Sequence, residues 1–183
     1  YNLWLFLAYF TLFSTCFLRH DSPVRMQFLV AFVLTWALGG NVMATIFSSA
    51  GPPYYAVLGL GDQFAPLFDR LLEHAEAGGL SVLDTQRLLW RFYTAPDSIN
   101  AISAFPSMHV ASTTLMAFLG FAPSRWVGLA LIAFAVCIMI GSVLLGWHYA
   151  VDGYVGALIA VLSWKCSGWL IRSRIGPFGH PRT

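Results

Sequence analysis

Three side chains in this 183-residue chain have the types and spacing to share one reaction. His148 and Asp152, in "GWHYAVD", lie four residues apart. On a helix that spacing puts both on one face, within hydrogen-bond reach. A carboxylate behind an imidazole fixes its tautomer and raises its basicity, which suits a nucleophile or a general base. His109, in "ISAFPSMHVA" at 102–111, stands just inside an apolar run. Ser107 precedes it by two residues and follows Pro106, at the start expected for a helix. A helix N-terminus offers unpaired N–H groups and a positive dipole end, a seat for phosphate. A histidine beside that seat could protonate a departing oxygen. Ser142 lies six residues before His148 in another apolar run. Each of these also has a plain structural reading: an interfacial His–Asp pair, a histidine at a helix start, a serine bonded to its own helix. Their chemical weight depends on whether the chain brings them together.

The elements that must do so are apolar helices. The chain is 58% hydrophobic and 16% aromatic, with only 10% charged residues and a mean hydropathy of +0.70. Soluble domains carry about 25% charge, so this is the composition of a membrane protein. A spanning helix needs about 20 mostly apolar residues. Runs are expected near Tyr1–Leu18, Met26–Ala50, Ser107–Phe121, Trp126–Gly146 and Ala150–Ile171. The fold class expected is therefore all-α, a polytopic transmembrane bundle of about five spans forming one domain over 1–183. The chain begins inside an apolar run without Met or a signal-peptide pattern, which leaves room for a further N-terminal span. Trp126 and Trp147 bracket the fourth run about 31 Å apart, the separation of the two membrane interfaces. Residues 51–106 do not read as membrane-spanning. "DQFAPLFDRLLEHAEAGG" is amphipathic and should lie in the interface, ended by Gly78-Gly79. "SVLDTQRLLWRFY" is a second helical piece, with Ser81 and Asp84 resembling a loose capping box.

Counting turns places the end of the second run, the start of the third, the end of the fourth and the start of the fifth on one face. That face carries "FSSAGPPYY", "FPSMHV", "GSVLLGW" and "HYAVDGY". The opposite side holds Arg19, Arg25, Arg125, Arg172, Arg174 and Arg182 against Asp21. Lys165 lies nearer that far end and should snorkel there. Cytoplasmic loops are enriched in Lys and Arg. The polar face is therefore expected outside the cytoplasm, with 172–183 as a cytoplasmic tail. A net charge of +2 and no arginine–aromatic interleaving speak against a nucleic-acid partner. Cys16, Cys137 and Cys166 lie in apolar runs without metal-type spacing and are expected as buried thiols.

"PSMH" at 106–109, followed by Ser142, five residues, His148, three residues and Asp152, resembles the type 2 phosphatidic acid phosphatase superfamily. That family's second motif is Pro-Ser-x-His, and its third is Ser-Arg, five residues, His, three residues, Asp. The resemblance covers about residues 40–165. It implies that His148 attacks phosphorus to form a phosphohistidine, that Asp152 orients and charge-stabilises it, and that His109 protonates the leaving group. His109 then activates an incoming water or alcohol. Ser107, Ser142 and nearby backbone N–H groups would hold phosphate oxygens, with no metal and no cofactor. The pattern departs from the family at Val143, read against the Arg of the third motif, and in lacking Lys, six residues, Arg-Pro. The cations available on the polar face are Arg70, Arg87 and Arg91, of which Arg87 and Arg91, i and i+4 in "QRLLWRF", are expected as a phosphate clamp. "FSSAGPPYY" with "GWHYAVD" further resembles the inositol-phosphorylceramide-synthase-like, aureobasidin-target branch, which transfers a phospho-headgroup between lipids. The implied partners are the bilayer, a phospholipid or isoprenoid phosphate, and an alcohol acceptor.

Two readings from other classes remain open on the residues alone. Two histidines and a carboxylate could hold a metal for intramembrane hydrolysis. A His–Asp relay could couple protons to transport, although paired broken helices in repeated halves are not seen.

Overall fold

In a computed structural model, the structure describes residues 3–17, 22–77, 82–95 and 102–174. Among them it is all-helical: α1 (Leu3–Thr15), α2 (Pro23–Ile46), α3 (Ala65–Glu76), α4 (Leu83–Thr94), α5 (Met108–Gly120), α6 (Arg125–Leu144) and α7 (Ala150–Arg174). Three of these, α2, α6 and α7, are long and apolar enough to cross a membrane. Helices α1 and α5 are apolar but only 13 residues each, short of the about 20 a straight span uses. The third run forms a short helix, as its 15 residues suggested; the first run's ends at Tyr1, Asn2 and Leu18 lie outside the described residues.

Serines start three of the helices. Ser22, Ser107 and Ser124 each accept a hydrogen bond from a backbone N–H of the first turn, of Arg25, Val110 and Trp126 respectively. Pro23 follows Ser22, where its missing N–H costs nothing. Helix α2 is not uniform. Trp36–Met43, containing Gly39-Gly40, winds as a π-helix, a geometry often found at functional sites. Gly39 faces Met108 and Pro106, at the entry to α5.

The core lies between α2, α5 and α7. It is built from Phe28, Ala31, Ala111, Leu115, Leu119 and Ala160, with buried Thr35, Ser112, Ser163 and Ser167. Small residues let helix backbones approach closely, which is how helices associate where lipid removes the hydrophobic drive. Gly156 shows this directly. A Cβ there would collide with the carbonyl of Ser107, so its absence lets the start of α5 lie against the first turns of α7. The Gln27 side-chain amide donates to the Trp164 carbonyl (3.0 Å), a polar tie between α2 and α7. Arg25 Nε donates to the Thr15 carbonyl (2.9 Å), tying α2 to the end of α1.

Several expectations need correction. Cys16, Cys137 and Cys166 are exposed rather than buried, because apolar residues of such a bundle cover its outside as well as its core. Helix α7 runs through Arg172 and Ser173 to Arg174, so the expected tail starts as helix; 175–183 lie outside the described residues. So do Arg19, Asp21, Gly78, Gly79, Ser81 and Arg182. The capping box expected at Ser81 and Asp84 lies in part outside the described residues, since Ser81 is not among them. The cap of α4 is Val82, without a side-chain hydrogen bond, and Asp84 pairs with Arg87 at 3.5 Å. Trp126 is exposed, as an interface anchor would be, while Trp147 is half-buried in the turn after α6. Lys165 is exposed on α7.

Candidate active site

The four helix ends that carry the polar motifs meet through backbone hydrogen bonds. The Ala104 N–H donates to the Ser49 carbonyl (2.6 Å), and the Ser107 N–H donates to the Asp152 carbonyl (2.9 Å). The N–H groups of Trp147 and His148 both donate to the Ser142 carbonyl (2.9 and 3.1 Å). Segment 102–107 is therefore pinned between the end of α2 and the start of α7. The turn bearing His148 is pinned to the end of α6.

His148 precedes α7 rather than lying on it, since the helix starts at Ala150. The expected helical i, i+4 pairing with Asp152 gives way to a turn. The two side chains are still neighbours, with Nδ1 to Oδ2 at 3.6 Å. The nearer partner of Nδ1 is the Ala104 carbonyl oxygen, at 2.6 Å. A carbonyl can only accept, so Nδ1 carries the hydrogen, and in the neutral ring the lone pair is on Nε2. The Asp152 carboxylate, 1% exposed, accepts from the Tyr149 N–H (2.8 Å) and so caps the turn. Its charge faces an imidazole already oriented by another group.

His109 sits in the first turn of α5, its ring 5.7 Å from that of His148 and inclined by 64°. On α1, Trp4 approaches the His109 ring to 4.2 Å. Ser107 is fully buried; its oxygen accepts from the Val110 N–H (3.5 Å). Ser142, also fully buried, donates its hydroxyl to the Met139 carbonyl (2.8 Å). Both serines thus hold helix ends at the site. Counted back across five residues from His148, the arginine of the resembled motif falls on Ser142 itself, and its serine on Gly141. Val143 is the residue after it, and it is exposed.

The loop after α2 buttresses this arrangement. Gly51 has φ +77°, a conformation that glycine adopts freely. A Cβ there would stand 2.8 Å from the Ala104 Cβ and 3.2 Å from the Trp147 carbonyl oxygen. Pro52–Tyr54 then turn as a 3-10 helix, and the Tyr54 hydroxyl donates to the Gln86 carbonyl (2.9 Å). Burial pushes the Tyr54 phenol above its usual pKa, keeping it a donor. The Gln86 amide in turn donates to the Leu145 carbonyl (3.1 Å), three residues before His148. Phe64, just before α3, lies against Tyr149 at 5.7 Å. Burial, with Tyr55 and Asp152 adding to it, pushes the Tyr149 phenol up as well.

Arg87 and Arg91 line a groove whose walls do not include the histidines. This groove, of about 300 Å³, is shared with Tyr54, Phe68, Gln86 and Trp90, and Arg87 is largely exposed beside Asp84. A second groove, of about 260 Å³ and almost wholly apolar, lies between α5, α6 and α7. Its lining includes Val110 and Gly153, the residues next to His109 and Asp152. A larger cavity of about 580 Å³ between α1, α5 and α6 is lined by Thr15, Leu119, Gly120 and Pro123, near the ends of α1 and α5 remote from the histidines. Among the described residues, no three His, Cys, Asp or Glu side chains converge as a metal-binding group.

Ala104, Gly51, Tyr149 and Trp4 were not among the site residues expected from sequence. The one signal that could have found any of them is Gly51-Pro52-Pro53, whose turn chemistry is legible.

A family model described as the PAP2 superfamily matches residues 1–166. No curated protein and no solved structure gives a significant match.

Proposed function

The chain belongs to the PAP2 superfamily, and on that premise we propose that it is a membrane-embedded lipid phosphatase or phosphotransferase working through a phosphohistidine. Its three long apolar helices fit a membrane protein. The carrying observation is the His148–Ala104 contact of 2.6 Å. It leaves Nε2 as the free nucleophilic nitrogen, with a second imidazole across from it.

In this reading Nε2 attacks phosphorus. The P–N bond forms as the P–O ester bond breaks, and the proton on His109 passes to the departing oxygen. The Asp152 carboxylate stabilises the positive charge gained by the His148 ring. Water or an alcohol then attacks phosphorus, gives its proton to His109 and releases His148. The helix start at Ser107 contributes its dipole to the phosphate. No metal enters these steps.

The substrate class we propose is a phospholipid or an isoprenoid phosphate. The apolar groove beside Val110 and Gly153 suits a hydrocarbon chain reaching the histidines from the bilayer side. We take α1 and α5 as further spans, shorter in register, giving five. Residues 51–106 form an interfacial segment, supported by exposed Val57, Leu58, Leu60, Leu88, Phe92 and Tyr93. Arg87 and Arg91 then form its cationic rim, which suits anionic headgroups more than the reacting phosphate. The arginines expected at the other end of the helices support, in this reading, a site outside the cytoplasm. Kinship with the inositol-phosphorylceramide-synthase-like branch, with an alcohol as acceptor, is the finer part of this proposal; it rests on the Gly51-Pro52-Pro53-Tyr54 loop beneath Ala104.

The test is a panel of radiolabelled phospholipids and isoprenoid phosphates, given to the purified protein in bilayers with and without inositol, glycerol or ceramide. Turnover and an acid-labile, base-stable phosphoprotein are expected, and both should vanish in His148→Ala. Full activity in that variant would overturn the mechanism. Substrate flux without any ester cleavage would point to a transporter instead.

A further inference from the structure

Trp4 belongs to neither motif, and it lies on a helix outside the α2–α5–α7 core. Most of α1 turns outward, with Phe6, Tyr9, Phe10 and Phe13 exposed. Trp4 turns inward. Its ring centroid lies 4.2 Å from that of His109, with the planes inclined by 50°. His109 in turn has the His148 ring 5.7 Å away. The Trp4 indole N–H is buried and has no acceptor among the described residues. Buried tryptophans ordinarily pair this group, so a residue chosen only for bulk would be better served by Leu or Phe.

Resting on the phosphohistidine reading above, we propose that Trp4 is a positioning residue for His109, its indole holding the imidazole toward the leaving oxygen and stabilising the imidazolium that delivers the proton. Tryptophan is the aromatic side chain that best supports a cation on its face. The gain is greatest where water is excluded. The proton concerned is the one that passes from His109 to the ester oxygen as the P–O bond breaks, so the effect belongs to the first half of the cycle. It scales with how badly the leaving group needs a proton. An alkoxide leaving group needs one; a nitrophenolate leaves without it.

That dependence separates positioning from packing. The full chain in nanodiscs is assayed with dioctanoyl phosphatidic acid and with p-nitrophenyl phosphate, as wild type, Trp4→Phe and Trp4→Leu. We expect Trp4→Leu to lose about 10- to 30-fold on the alkyl ester and less than about 3-fold on the aryl ester. Trp4→Phe, keeping a weaker aromatic face, should lose about 3-fold on the alkyl ester and nothing on the aryl ester. If Trp4→Leu does not fold, Trp4→Phe decides by the same ratio. Equal losses on both esters, or none on the alkyl ester, would overturn the role of Trp4 while leaving the phosphohistidine intact. A wild type that cleaves neither ester and takes up no phosphate on His148 would overturn the functional reading, and this role with it.

Discussion

The Ala104 carbonyl oxygen stands 2.6 Å from His148 Nδ1, whereas the Asp152 carboxylate stands 3.6 Å away. The group that orients the candidate nucleophile is therefore a backbone atom, and the buried acid acts on it mainly through charge. This division of labour sets the size of the effects expected from substitution.

Asp152→Asn is predicted to slow turnover by about 10²- to 10³-fold, the usual cost of removing one electrostatic stabiliser. Were the carboxylate also the sole keeper of the tautomer, the loss would approach about 10⁴-fold. Steady-state kinetics on a short-chain substrate, with folding checked by size-exclusion chromatography, tells the two apart. A loss near the larger figure would mean that Ala104 does not hold the ring.

Gly51→Ala should be damaging although the residue touches no substrate in our reading. The new methyl meets the Ala104 Cβ at 2.8 Å, on a backbone of φ +77°. We expect a destabilisation of more than about 1 kcal/mol and a loss of activity of at least about tenfold as Ala104 is displaced. Thermal unfolding and kcat measure the two separately. Wild-type activity in Gly51→Ala would remove the loop from the account of the site.

Gln86→Leu removes the donor to the Leu145 carbonyl. Losing that partly buried hydrogen bond costs about 1 kcal/mol. The readout is hydrogen exchange across α4 and the 145–149 turn, which should quicken together. Faster exchange in α4 alone would show that the tie does not reach the turn carrying His148.

Arg87→Gln with Arg91→Gln addresses the clamp expected from sequence. Because their groove excludes the histidines, kcat on a soluble phosphate ester should change by less than about twofold. Binding to vesicles rich in anionic lipid should weaken, by about 1 kcal/mol per arginine removed. A collapse of kcat on the soluble ester would instead place the arginines on the reacting phosphate.

The apolar runs and the serine at the start of α5 were legible because each has a local signature: a long apolar stretch, or a serine ahead of a helix. The neighbourhood of His109 and His148 was legible by counting turns. What was hidden falls into two kinds. Ala104 acts through a carbonyl that every residue possesses, so its letter carries no signal. Trp4 and the cysteines lie in apolar runs, where composition does not say which face turns inward. In water the hydrophobic effect sorts inside from outside; against lipid it does not. The cysteines accordingly came out exposed, and Trp4 came out against a histidine. The arginine pair was legible as a pair, but the distance from helix α4 to the histidines has no local code.

The ties that gather the candidate site run through main-chain atoms: Ser49 to Ala104, Asp152 to Ser107, Ser142 to Trp147 and His148. Such ties survive exchange of the side chains above them, provided the chain keeps its path. A scaffold of this kind can drift far in sequence while its reacting atoms stay in place. The positions that leave no room for exchange on steric grounds are the glycines Gly51 and Gly156, where a Cβ would meet Ala104 and the Ser107 carbonyl. An engineer reshaping this protein would thus have wide freedom in the walls of the apolar groove, and almost none in the places where the backbone turns.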